Sequence, residues 1–85
     1  MRKERWSMKK VIVYSKLSCP ACLSVKSYIE GKGFEYIERD ITVYEEEFLS
    51  LGYRSVPVIV IDGHEPIVGF NPIALEQALE GLENE

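Results

Sequence analysis

At 85 residues, 46% of them hydrophobic, the chain has apolar material for one compact core and too much of it for intrinsic disorder. A net charge of -4 argues against a nucleic-acid surface, and no apolar run approaches the roughly 18 residues of a membrane helix. Arg2, Lys3, Arg5, Lys9 and Lys10 make the start basic without a signal-type apolar segment behind them, so residues 1–9 are expected to be a frayed leader.

A single domain is expected over residues 10–82. Lys10 to Tyr14 is apolar and β-branched and reads as a buried strand. Ser15 to Ser18 make a short loop, and Pro20 suits the first position of a helix, where its missing N–H costs nothing. Cys22, Val25 and Ile29 share one face of that helix, and Gly33 can end it in a left-handed cap. Phe34, Tyr36 and Glu38 alternate with Glu35 and Ile37 in a second strand. Thr42 with Glu45 has the form of a capping box, placing Tyr44, Phe48 and Leu51 on one face of a short helix that Gly52 closes. Val58 to Ile61 is another buried strand, Asp62-Gly63 a turn, and Glu65 to Val68 the returning hairpin strand. Asn71 caps a last helix that opens at Pro72 and buries Leu75, Ala78, Leu79 and Leu82; residues 83–85 form a tail. The order β-α-β-α-β-β-α implies an α/β fold. Its first two strands pair in parallel through a right-handed crossover, and its last two form an antiparallel hairpin.

Only two cysteines occur, Cys19 and Cys22. A secreted domain held by disulfides spreads more of them over longer loops, and a C-x-x-C link closes too short a loop to stabilise much. Chemistry is the better reason for the pair, and a reducing cytoplasm the expected location. Cys19 stands where a helix begins, so unpaired N–H groups and the positive end of the helix dipole face its sulfur. That placement lowers a thiol pKa and favours the nucleophilic thiolate, and Lys16 in the same loop adds positive charge. Cys22, one turn inside the helix, is placed to attack the mixed disulfide formed at Cys19 and release reduced substrate. Rival readings are half of a metal or iron–sulfur site, two inert core cysteines, and an idle interaction domain. No metal site is expected, because His64 is the single histidine and no third cysteine exists.

The topology adds an independent constraint. Cys19 follows the C-terminal end of the first strand, and an antiparallel third strand begins at that same edge with Pro57. The hairpin then returns Gly69 there, whereas His64 falls at the opposite end. A cis Val56-Pro57 bond would present the Val56 backbone to an extended thiol substrate; a trans proline merely opening a strand is the alternative. Ser55 shapes that turn, Arg54 is a candidate for a substrate carboxylate, and Gly69 permits close approach. Asn71 opens a helix whose free N–H groups suit an anion, and Phe70 is either a partner contact or a lid on the core.

Tyr14-Ser-Lys-Leu-Ser-Cys19-Pro-Ala-Cys22, Ser55-Val56-Pro57 and Gly69-Phe-Asn-Pro72, in this order and spacing, resemble the glutaredoxin family of the thioredoxin superfamily. The resemblance implies a four-stranded mixed sheet in the order 2-1-3-4 flanked by three helices. It also implies thiol–disulfide oxidoreductase activity on protein or low-molecular-weight disulfides, with Cys19 as nucleophile, Cys22 as resolving thiol, Pro20 and Pro57 in support and Pro57 in cis. Glutathione-using members bind through a lysine where Lys16 stands, the backbone at Val56, and a turn matching Val68 to Pro72. Two departures matter: Ala21 stands where an aromatic residue is usual, and Gly69-Phe-Asn-Pro72 replaces a glycine-rich acidic turn. The latter is similar to the glutaredoxin-like hydrogen donors of ribonucleotide reductase, which thioredoxin reductase recharges. The implied partners are therefore a disulfide-bearing protein such as ribonucleotide reductase and an NADPH-fed thioredoxin reductase, with glutathione the alternative reductant. No bound cofactor is expected, and an attacking Cys19 must stay exposed, which argues for a monomer.

Overall fold

The computed structural model describes residues 11–83; the expected leader and the end of the expected tail lie outside the described residues. The elements are β1 (Val11–Ser15), α1 (Pro20–Gly31), β2 (Ile37–Asp40), α2 (Glu45–Ser50), β3 (Val58–Ile61), β4 (Ile67–Val68) and α3 (Pro72–Glu83). They form one mixed sheet in the order β2-β1-β3-β4, with β1 parallel to β2 and the other pairs antiparallel. This is the expected α/β architecture.

Strand alternation divides the apolar residues between two cores. Val13, Ile59 and Ile61 join Val25 and Ile29 of α1 and Leu75 of α3 in the larger one. Tyr14 and Val58 face the other way and meet Phe48 of α2 in the smaller one, where the Tyr14 and Phe48 rings lie 5.7 Å apart. The chain leaves α1 through Gly33, which holds φ +87, while the Phe34 N–H reaches back to the Ile29 carbonyl at 3.2 Å. Those two features close the helix as a glycine C-cap does.

Four expectations need correction. The second strand begins at Ile37 rather than Phe34; Phe34 and Tyr36 instead pack on the larger core from the preceding loop. Thr42 is not a helix cap, because its N–H and hydroxyl both donate to Asp40 Oδ1, at 2.9 and 2.7 Å. Tyr44 takes the N-cap position of α2 with no side-chain bond, so only Phe48 of the expected buried face is buried. The Tyr44 ring is drawn out by the Arg39 guanidinium, 4.9 Å from its centroid, an attraction available at the surface. Finally, β4 has two residues instead of four.

Candidate active site

The site forms at the C-terminal end of β1. Ser18 adopts a left-handed φ of +60, and the chain then turns into α1 with Cys19 as its extended N-cap and Pro20 in the first turn. The Cys19 sulfur accepts the Cys22 backbone N–H at 3.2 Å, as a serine or aspartate oxygen would at this position. The two cysteines are joined as a disulfide with their Cα atoms 5.2 Å apart. Cys19 is partly exposed, whereas Cys22 is only 1% exposed among the residues beneath the helix. Cys19 is thus the more accessible of the two.

A groove of about 330 Å³ opens beside the disulfide, between the cysteine loop, α1 and β2. Lys16, Leu17, Cys19, Cys22 and Leu23 line its cysteine side, and Lys26, Glu38 and Asp40 the other. Glu38 Oε2 accepts Lys26 Nζ at 2.7 Å and the Ser15 hydroxyl at 2.9 Å. The Lys26 bond, followed by the Ser15 bond, holds the Glu38 carboxyl below its ordinary range. Asp40 is held low as well, by the hydroxyl and N–H of Thr42. Neither acid was singled out in the sequence. The signal was the Glu38-x-Asp40 alternation, which puts both on one face of β2, with Lys26 one turn beyond Cys22.

The expected substrate segments lie on the other side of the disulfide. Val56-Pro57 is cis, and Pro57 precedes Val58, which pairs with Tyr14 of β1. Gly69, at φ +82, donates its N–H to the Pro57 carbonyl at 2.8 Å, so Pro57 and Gly69 meet at the sheet edge from which the cysteine loop departs. Arg54 and Ser55 are exposed and Val56 is half-buried; none of the three lines the groove. Phe70 is 43% exposed, and its ring meets Tyr28 edge-on at 6.1 Å. The Asn71 side chain accepts the Ala74 N–H at 3.2 Å, which commits its oxygen to capping α3. His64 is exposed at the far hairpin turn, its Nδ1 2.8 Å from the Glu65 carbonyl. Among the described residues, no group of three or more acidic, cysteine or histidine side chains is placed to hold a metal.

On the far sheet face, the Tyr14 hydroxyl and Arg39 both bond to the Glu47 carboxylate, tying α2 to β1 and β2. Those hydrogen bonds hold Glu47 low, Tyr14's first and then Arg39's, while burial and the same carboxylate push Tyr14 up. This cluster supports β1 from behind and takes no part in the groove.

A thiol pair at the N-terminus of the first helix, on a sheet of this order, defines a thiol–disulfide oxidoreductase of the thioredoxin superfamily. More narrowly, the chain belongs to the glutaredoxin family: residues 11–65 match the family model for glutaredoxin. It is 36% identical over 72 residues to a glutaredoxin-like 8.6 kDa protein of the rubredoxin operon of Clostridium pasteurianum, spanning 80% of this chain and 95% of that one. Among solved structures, thioredoxin-like protein BC3987 superposes with a TM-score of 0.73 at 32% identity, covering 81% of this chain and 99% of that one. The glutaredoxin-like NrdH-redoxin of Escherichia coli shares the fold, with a TM-score of 0.71 at 22% identity over 80% of this chain and 92% of that one. No helix among the described residues is long and apolar enough to cross a membrane.

Proposed function

We propose that this chain is a small electron carrier that reduces protein or low-molecular-weight disulfides, ribonucleotide reductase being one such protein partner, in the cytoplasm. The Cys19 thiolate attacks a substrate sulfur, breaking its disulfide and forming a mixed disulfide. Cys22 then loses its proton and attacks the Cys19 sulfur, releasing the second substrate thiol. Two electrons pass to the substrate and the Cys19–Cys22 disulfide remains. The observation that carries this reading is Cys19 at the N-cap of α1, its sulfur held by a helix N–H and bridged to buried Cys22. Lys16 adds charge beside the sulfur, while Arg54, Ser55, Val56, Pro57 and Gly69 form the rim along which the substrate chain lies.

For recharging, we favour a flavoprotein thioredoxin reductase, fed by NADPH, over glutathione. Glutathione needs donors for its carboxylates and an acceptor for its ammonium. The Asn71 oxygen, which also accepts the Ala74 N–H, carries no full charge for an ammonium, and Pro72 brings no N–H. The exposed edge of Phe70 suits a protein surface instead. The test offers oxidised protein either NADPH with thioredoxin reductase or NADPH with glutathione and glutathione reductase. Turnover is expected to be faster in the first system, with Phe70→Ser slowing that route alone; equal or faster glutathione turnover sinks the preference. Cys19→Ser is expected to abolish both routes, and Cys22→Ser to accumulate a mixed disulfide visible by mass spectrometry.

A further inference from the structure

In the two central strands, β1 and β3, only Ile12 and Val60 are not fully buried. They are partners across the antiparallel ladder, and Ile37, 44% exposed on the edge strand β2, is the partner of Ile12 on its other side. Paired residues share a sheet face, so Ile37, Ile12 and Val60 form one apolar row across three strands. The next row toward the cysteines holds Tyr14 and Val58, and Phe48, the only buried side chain of α2, seals it. The Ile12 row is left half-covered. It lies at the end of β1 remote from Cys19, and the chain reaches Val11 at this same end, one residue before Ile12.

From this juxtaposition we propose that the N-terminal segment of this chain, residues 1–10, folds back and seats Trp6 and Met8 on the Ile37–Ile12–Val60 row. Trp6 and Met8 are two residues apart, so an extended segment turns both to one face and Arg5, Ser7 and Lys9 to the other. Trp6 stands five residues before Val11, a reach of about 17 Å at ~3.4 Å each, and the row is only about 10 Å wide at ~4.8 Å per strand spacing. Charge agrees with the placement. Exposed Glu35, Asp62 and Glu65 stand at this end of the sheet, opposite in sign to a segment holding Arg2, Lys3, Arg5, Lys9 and Lys10 against Glu4. A second copy is the poorer occupant, because three side chains fall far short of the roughly 20–30 residues a side of a stable interface. A segment tethered at Val11 is instead held beside the row at high effective concentration. Residues 1–10 thereby become the cover of the sheet face that α2 leaves open, in place of the frayed leader expected from their charge.

Trp6 is the single tryptophan, so its fluorescence reports this segment alone. In dilute full-length protein its emission is expected to be blue-shifted, and its quenching by acrylamide several-fold weaker, relative to the same protein unfolded in urea. Ile37→Asp puts a charge into the row at a half-open position and is expected to return both readings to the unfolded values. Ile37→Thr keeps strand propensity, which guards against a variant that does not fold, and is expected to weaken the protection in the same direction. Val43→Asp, at a position 72% exposed beyond the cysteine end of β2, is expected to change neither reading. Parent readings equal to the unfolded ones overturn the proposal. So does protection that survives both Ile37 variants, or that Val43→Asp removes equally. Protection that disappears on dilution assigns the row to a second copy and overturns the proposal as well.

Discussion

Replacing Glu38 separates two contributions that meet at one carboxylate. Ser15 is the one buried polar side chain among the described residues, 2% exposed, and its hydroxyl donates to Glu38 at 2.9 Å. Lys26 donates to the same oxygen from a side chain 19% exposed, while that of Glu38 is 46% exposed. Solvent screens an ion pair this open, so Glu38→Gln, which keeps an acceptor for Ser15, is expected to cost only about 0.5 kcal/mol. Glu38→Ala strands the buried hydroxyl, which costs about 1–3 kcal/mol. In urea unfolding of the disulfide form at neutral pH, the Ala variant should therefore lose about 1 M in midpoint at unchanged slope, and the Gln variant much less. The pH dependence has a definite sign. Glu38 is held below its ordinary 4.5 when folded, so its contribution is complete above 4.5 and disappears as pH falls through the lowered value. The small advantage of the parent over Glu38→Gln should vanish in that acidic window. Equal costs for the Gln and Ala variants would show that Ser15 does not depend on this acceptor.

Phe48→Ala removes the only buried side chain of α2 and its ring contact with Tyr14, and is expected to cost about 3–5 kcal/mol in urea or thermal unfolding. A loss below about 1 kcal/mol would show that α2 is held by Glu47 rather than by Phe48. Gly69→Ala meets no atom within 4 Å of the added carbon, so only its φ of +82 is penalised. About 1–2 kcal/mol of destabilisation is expected, and a larger loss would indicate a steric conflict.

Much of the chain was legible because local chemistry and tertiary demand agree. Val58 to Ile61 is apolar throughout and becomes a strand covered on both faces. Asn71-Pro72 reads as a helix start because a side-chain acceptor and a residue without N–H solve the same end problem, and the structure uses both. The errors arose where a pattern of spacing met a competing demand of the structure. Thr42 matches a capping box by spacing, but its hydroxyl and N–H go to Asp40, at the end of β2. Tyr44 and Leu51 share a helical face with Phe48 by periodicity, yet α2 is too short to bury more than one turn against the sheet.

The same division holds for the site. Cys19, Pro20 and Cys22 declare themselves in the sequence, because a thiol, a proline and a second thiol at those spacings specify a helix N-terminus, and both cysteines then lie within one turn of it. Pro57 and Gly69 followed from strand order, since an antiparallel β3 and its hairpin must return to the edge where β1 ends. What only the tertiary structure decided is the other wall of the groove. Ser15, Lys26 and Glu38 come from β1, α1 and β2, and nothing in their spacing specifies that a serine hydroxyl and a lysine will share one carboxylate oxygen. That arrangement depends on the parallel register of Val13 with Glu38 and on where α1 crosses the sheet, both fixed by packing of the larger core. A charged side chain's partner is chosen in three dimensions, because Coulomb attraction and hydrogen bonding act through space while periodicity reports only which face a residue occupies.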